Sequence, residues 1–151
     1  MARILAVDYG ERRVGLAISD PTATIATPLT VLTRRPGKRP PVQAVTELIR
    51  EHGVEHIVVG LPLTLSGEES EWTREVRVFG ERLAQRAGVG VTFADERLTS
   101  VVAERAVRSL GLKRRQREQK QRIDAAAAML ILQAHLDSLK RVGAETESND
   151  G

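Results

Sequence analysis

The sequence predicts an α/β protein in which a mixed sheet is covered by helices. Three observations carry that expectation. Short, nearly all-apolar runs end at Gly, Pro or Asp and read as buried strands. Longer stretches place apolar residues at helical spacing and stop at glycine. The order is a hairpin first, then alternating helix and strand, then helices. The 151 residues suit one domain, expected over 1–139, with 140–151 a disordered acidic tail.

Arg3-Ile4-Leu5-Ala6-Val7 reads as a strand buried on both faces and ended by an Asp8-Tyr9-Gly10 turn. Val14 to Ser19 follows closely enough for a hairpin, and Asp20-Pro21 breaks it. Leu29 to Leu32 is a third strand. Arg34 to Pro41, rich in proline and basic side chains, is a loop. Val42, Val45, Leu48 and Ile49 mark a helix over 42–52, stopped by Gly53. His56 to Pro62 is a buried strand, and Leu65 to Ser70 a polar loop. Val76, Phe79, Leu83 and Ala87 mark a second helix over 72–87, with Gly88 after it. Val89 to Ala94 is a strand, followed by Asp95-Glu96-Arg97. A third helix is expected over 101–110, capped by Thr99 or Ser100 and stopped by Gly111, and a fourth over 123–139.

Composition excludes several chemistries. The absence of cysteine removes disulfides, thiolate zinc sites and cysteine nucleophiles. His52, His56 and His135 do not have metal-ligand spacing. The longest apolar run, Ala125 to Leu132, is far below the ~18 residues of a membrane span. No signal-peptide pattern opens the chain, so a cytoplasmic protein without membrane partners is expected.

Net charge is +3, but residues 112–122 alone carry +5 and residues 142–151 carry −3. A basic cluster on a near-neutral body predicts an anionic partner at one place. Lys113, Arg114, Arg115, Arg117, Lys120 and Arg122 form a basic loop without aromatics, which suits phosphate contact better than base readout. The same run also suits a solvated polar linker.

Three acids fall at the ends of elements. Asp8 follows the first strand, Glu96 (with Asp95 beside it) the fifth, and Asp124 opens the last helix. In α/β sheets, functional groups gather beyond the carboxyl ends of parallel strands. Three converging carboxylates repel unless one is protonated or cations bind, and oxygen-only donors suit Mg²⁺ or Mn²⁺. Two such ions would clamp the attacking and leaving oxygens of a phosphodiester displacement. Each acid also has a plain reading. Asp8 suits a turn, Asp124 a helix N-cap, and Asp95 or Glu96 a surface pair with Arg97. Gly10 suits either a close backbone approach to phosphate or an ordinary hairpin turn. Gly60-Leu61-Pro62 borders the expected crevice, and Thr64, Ser66 and Thr99 are candidate phosphate donors.

The run Asp8-Tyr9-Gly10-Glu11-Arg12-Arg13-Val14-Gly15-Leu16-Ala17 resembles the first motif of the YqgF/RuvX family. Val59-Gly60-Leu61-Pro62, Asp95 to Ser100, and Ile123 to Ala128 resemble its later motifs, in order. The resemblance covers about residues 1–137. It implies an RNase H-like fold with a five-stranded mixed sheet, related to the RuvC Holliday-junction resolvases. It implies a nuclease trimming the 5′ end of precursor 16S rRNA during ribosome maturation, with Asp8, Glu96 and Asp124 as the metal-binding acidic triad. Gly10 and Arg13 of the first motif join the basic loop as expected substrate contacts.

The expected function is thus a Mg²⁺- or Mn²⁺-dependent nuclease acting on precursor rRNA, in contact with a ribosomal subunit precursor. A Holliday-junction resolvase acting on branched DNA is the alternative. An actin-like phosphotransferase and a non-catalytic RNA-binding module are further ones. A monomer and a homodimer are both compatible with the sequence, although a resolvase needs the dimer.

Overall fold

The computed structural model describes residues 3–34, 39–98 and 126–141. The elements are β1 (Arg3–Tyr9), β2 (Arg13–Ser19), β3 (Ala26–Thr33), α1 (Val42–His52), β4 (Val54–Leu61), α2 (Glu71–Ala87) and β5 (Gly90–Asp95). A 3₁₀ turn, Glu96–Leu98, follows β5, and a helix, α3, covers 126–141. The sheet has the order β3-β2-β1-β4-β5. β1, β4 and β5 are parallel, and β2 runs antiparallel to both β1 and β3.

Side chains alternate across a strand, so each strand serves two cores. Leu5, Val7 and Tyr9 of β1 join Leu16, Ile57 and Val59 against Val45 and Ile49 of α1 and Val76, Phe79 and Leu83 of α2. Ile4 and Ala6 of β1 join Ala17, Val58 and, from α3, Ala127, Ala128, Ile131, Leu132 and Leu136. On that second face Ala6 and Ala17 are direct partners across β1 and β2, and both are fully buried. Their short side chains let α3 lie close to the sheet.

The direction of α3 follows from two contacts. A Cβ built on Gly60 would lie 2.6 Å from Ile131 Cδ1. The His135 ring stacks on His56 with 6.1 Å between centroids. β4 runs from His56 to Gly60 while α3 runs from Ile131 to His135, so the two are antiparallel. The first turn of α3 therefore lies toward the carboxyl ends of β1, β4 and β5.

Helix punctuation follows local chemistry. Gly53 and Gly88 end α1 and α2 in the left-handed conformation, at φ 65° and 70°. Ser70 and Thr73 form a reciprocal capping box at the start of α2. Gly80 sits mid-helix because α2 touches the sheet there. A Cβ at Gly80 would lie 2.7 Å from the Phe93 ring and 3.2 Å from Val59 Cγ2.

Three expectations need correction. β1 continues through Asp8 and Tyr9 instead of turning at them, because both residues pair with β2. β3 spans Ala26–Thr33 despite Pro28, which an edge strand tolerates because one side of its backbone makes no ladder bonds. α3 is helical through residue 141, the last described residue of that segment, and so takes in the first two residues of the expected tail. The helix expected over 101–110, the basic loop, residues 123–125 and the rest of the tail lie outside the described residues.

Two measurements check this packing. Gly80→Val should overpack the α2–sheet contact and lower stability by about 1–3 kcal/mol in urea unfolding. The second concerns the histidine pair. Burial holds both imidazoles below their ordinary range, and the His56 charge adds to the effect on His135. A base depressed in the folded state leaves the unfolded chain holding more protons, so stability rises with pH. It is lost on acidification from the ordinary histidine value of 6.5 downward. The drop in urea midpoint between about pH 7.5 and pH 5.5 should be smaller in His56→Gln/His135→Gln than in the parent.

Candidate active site

Asp8 lies inside β1 and is only 4 % exposed. Its neighbours on either side are glycines. Gly15 is its direct partner on β2. The last β1–β4 pair is Val7 with Val59, so Gly60 stands beside Asp8 on β4. Neighbouring strands are roughly 4.8 Å apart. The alternation that sends Tyr9 toward α1 and α2 sends Asp8 to the α3 face.

Glu96 opens the 3₁₀ turn after β5 and is 5 % exposed. Its side chain folds back over β4. A Cβ on Gly60 would lie 2.8 Å from Glu96 Oε1 and 3.3 Å from its Cγ. That same point is 2.6 Å from Ile131 of α3. Glu96 therefore occupies the α3 face above Gly60, one strand away from Asp8. Glycine at 60 is what lets a carboxylate and an isoleucine share the space.

Asp95 has a different task. Its carboxylate accepts from Arg97 Nη2 at 2.7 Å and from the Arg97 backbone N–H at 2.9 Å. The Arg97 hydrogen bonds hold the Asp95 carboxyl below its ordinary value. Arg97 Nη1 also donates to the Leu65 carbonyl at 3.2 Å. At the other end of the same loop, Thr73 Oγ1 donates to the Pro62 carbonyl at 2.6 Å. The loop between β4 and α2 is thus fastened to the turn that carries Glu96. Its hydroxyls are used internally: Thr64 Oγ1 accepts from the Glu68 N–H at 3.0 Å and lies 3.1 Å from Ser66 Oγ.

Gly10 is a hairpin residue. Its N–H donates to the Arg13 carbonyl at 2.9 Å, and a Cβ there would lie 2.6 Å from that oxygen. Arg13 begins β2 and shares the strand face of Gly15, at the edge of the Asp8 cleft. Asp124, Lys113, Arg114, Arg115, Arg117, Lys120 and Arg122 lie outside the described residues, as does Thr99.

A buried carboxylate is costly without compensating partners, because burial removes water. Protons, hydrogen bonds or a cation offset that cost. The donors are carboxylate oxygens, which suit a hard divalent ion at 2.0–2.6 Å as general ligand geometry. Among the described residues, no group of three or more His, Cys, Asp or Glu side chains is assembled to hold a metal. The oxygen donors of Asp8 and Glu96 are of the kind that suits such an ion.

The statistical model of the family described as "RuvX: Holliday junction resolvase" matches residues 2–138. This chain belongs to the RuvX family. A protein of Chloroflexus aurantiacus named "Putative pre-16S rRNA nuclease" is 47% identical over 135 residues, 89% of this chain and 86% of that one. One of Moorella thermoacetica with the same name is 41% identical over 141 residues, covering 93% and 99%. Among solved structures, T. thermophilus RuvC in complex with a Holliday junction substrate superposes with TM-score 0.56 at 18% identity, covering 93% of this chain and 96% of that one. At that identity the likeness establishes the fold, which is RNase H-like as the RuvX motifs implied.

Gly60 offers a test of the RuvX site geometry. Gly60→Ala should force Ile131 and Glu96 apart, costing about 1–3 kcal/mol. Thermal unfolding would show it, and a crystal structure should show the Glu96 carboxylate displaced from its place above β4.

Proposed function

We propose that this RuvX protein is a divalent-metal-dependent nuclease that hydrolyses phosphodiester bonds in the 5′ extension of precursor 16S rRNA. The carrying observation is the pair of buried acids, Asp8 and Glu96, at the carboxyl ends of β1 and β5 on the α3 face. The names of the relatives support the same reading.

Asp8 and Glu96 would hold Mg²⁺ or Mn²⁺ together with Asp124. Asp124 precedes Ala128 by four residues and Ile131 by seven, and both of those are buried against the sheet. That spacing is the repeat of one helix face, and the N-terminal end of α3 lies toward the rim where the two acids sit. A bound divalent ion would supply activated water and neutralise charge on the phosphate. The chain's own groups do the rest. Gly15 and Gly60 add no side chain beside Asp8, and the room over Gly60 admits the Glu96 carboxylate. Arg97 keeps the turn bearing Glu96 in place through Asp95 and the Leu65 carbonyl. Arg13 and the basic run from Lys113 to Arg122 meet the phosphate backbone, where a contact of this kind is salt-sensitive. Action on a ribosomal subunit precursor would put the protein in the cytoplasm.

The family description favours one rival, cleavage of a four-way DNA junction. A resolvase acts as a homodimer that presents two sites to a symmetric junction, whereas trimming a 5′ end needs one.

Asp8→Asn and Glu96→Gln keep the side-chain volume and remove a charged ligand. Each should slow cleavage of a precursor 16S transcript by roughly 10²-fold or more while the unfolding temperature holds. Chelation should abolish cleavage in the parent, and added Mg²⁺ or Mn²⁺ should restore it. Undiminished cleavage by Asp8→Asn would remove the catalytic assignment. A four-way junction cut faster than the precursor transcript would transfer the activity to branched DNA.

A further inference from the structure

The opposite face of β1 carries a second concave site. A cavity of about 380 Å³ opens between α1 and α2, with Tyr9 among its lining residues. Asp8 and Tyr9 are consecutive, so the cavity lies directly behind the acid-bearing strand. Its size falls within the general range for small-molecule sites. The apolar lining comes from Tyr9, Val42, Val78 and Phe79, and three arginines, Arg34, Arg74 and Arg82, stand around it with one acid, Glu75.

Two of the three arginines, Arg74 and Arg82, have no side-chain partner among the described residues. Along α2, Arg77 pairs with Glu69, and Arg86 donates to Gln43 Oε1 at 2.7 Å. Arg34 is held in place: Nη1 donates to the Gly10 carbonyl at 3.1 Å, and the guanidinium lies 4.6 Å from the Tyr9 ring centroid. Its Nε is buried and has no hydrogen-bond partner among the described residues. A buried donor without an acceptor is costly, and native structures rarely leave one so. Burial also pushes the Tyr9 phenol above its ordinary value, so at neutral pH it stays protonated.

An apolar floor under a net-positive guanidinium rim suits a ligand with one flat, weakly polar end and one anionic end. We propose that this cavity is a nucleoside-phosphate site, with the base on Val78 and Phe79 and the phosphate against Arg34, Arg74 and Arg82. The nucleotide is either free in solution or one unpaired residue of an RNA strand. Binding at this face does not depend on the nuclease reading, because it needs neither turnover nor the acids of the other face.

The chain has a single tryptophan, Trp72, which stacks on Tyr9 with 5.4 Å between centroids. Its emission therefore reports the cavity. The full-length protein would be titrated with adenosine 5′-monophosphate, with inorganic phosphate and with a short unstructured RNA oligomer. Adenosine 5′-monophosphate should give a saturable change that persists in Asp8→Asn. The affinity should fall about tenfold or more in Arg74→Ala/Arg82→Ala, whose substitutions on α2 should leave the unfolding temperature near the parent's. Competition by the oligomer at lower concentration would assign the site to an RNA strand. Saturation by the mononucleotide without competition from the oligomer would assign it to a free nucleotide. The proposal fails if neither the mononucleotide nor the oligomer saturates, if the double variant binds as tightly as the parent, or if inorganic phosphate binds as tightly as the mononucleotide.

Discussion

A missing side chain at Gly60 is the constraint around which the site is organised. The space a Cβ would fill is shared by Ile131 of α3 and the Glu96 carboxylate. One contact thus joins the packing of a helix to the placement of an acid. If β4 carried any larger residue there, α3 would stand off the sheet or Glu96 would turn out to water. Gly15 has the matching position on β2, directly opposite Asp8. The two glycines add no side chain of their own beside the aspartate, and over Gly60 that room is taken by Glu96 and Ile131.

The sheet divides its work between its faces. Toward α1 and α2 the strands present large apolar residues such as Leu5, Leu16, Ile57 and Val59, and this is the larger of the two buried clusters. Toward α3 they present Ala6, Ala17 and Ala94 beside Ile4 and Val58, and then the acids. That face can hold polar chemistry because the other carries the larger core. The end of β1 shows both roles in consecutive residues. Asp8 enters the acidic rim, while Tyr9 stacks on Phe79 at 4.2 Å between centroids on the far side. The side-chain alternation of a single strand therefore brings a buried acid and an aromatic–arginine cavity within one residue of each other.

Much of this was legible in the residues. The strands of the parallel core announced themselves as apolar runs, and α1 and α2 by their periodicity and their terminal glycines, because burial and capping are local demands. The turn reading of Asp8 failed because Asp-Tyr-Gly has turn chemistry, yet pairing with Val14 and Gly15 drew Asp8 and Tyr9 into β1. The choice between Asp95 and Glu96 could not be read from their adjacency. It was settled by alternation past the end of β5 and by Arg97, which engages Asp95 and the Leu65 carbonyl. The arginine cavity was missed, although Arg74, Val78 and Arg82 follow one another at four-residue steps, the spacing of one helix face.

By itself the sequence determined the kinds of element, their order and the acids available, since propensity, periodicity and residue chemistry act over a few neighbours. It also determined the RuvX motifs and, through them, the family. Only the tertiary structure decided that Glu96 reaches back across β4 above Gly60, that Asp8 shares that face, and that α3 runs antiparallel to β4 over both. Those facts depend on strand order and register, which are set by contacts between residues far apart in the chain. No local pattern records which strand will lie beside which.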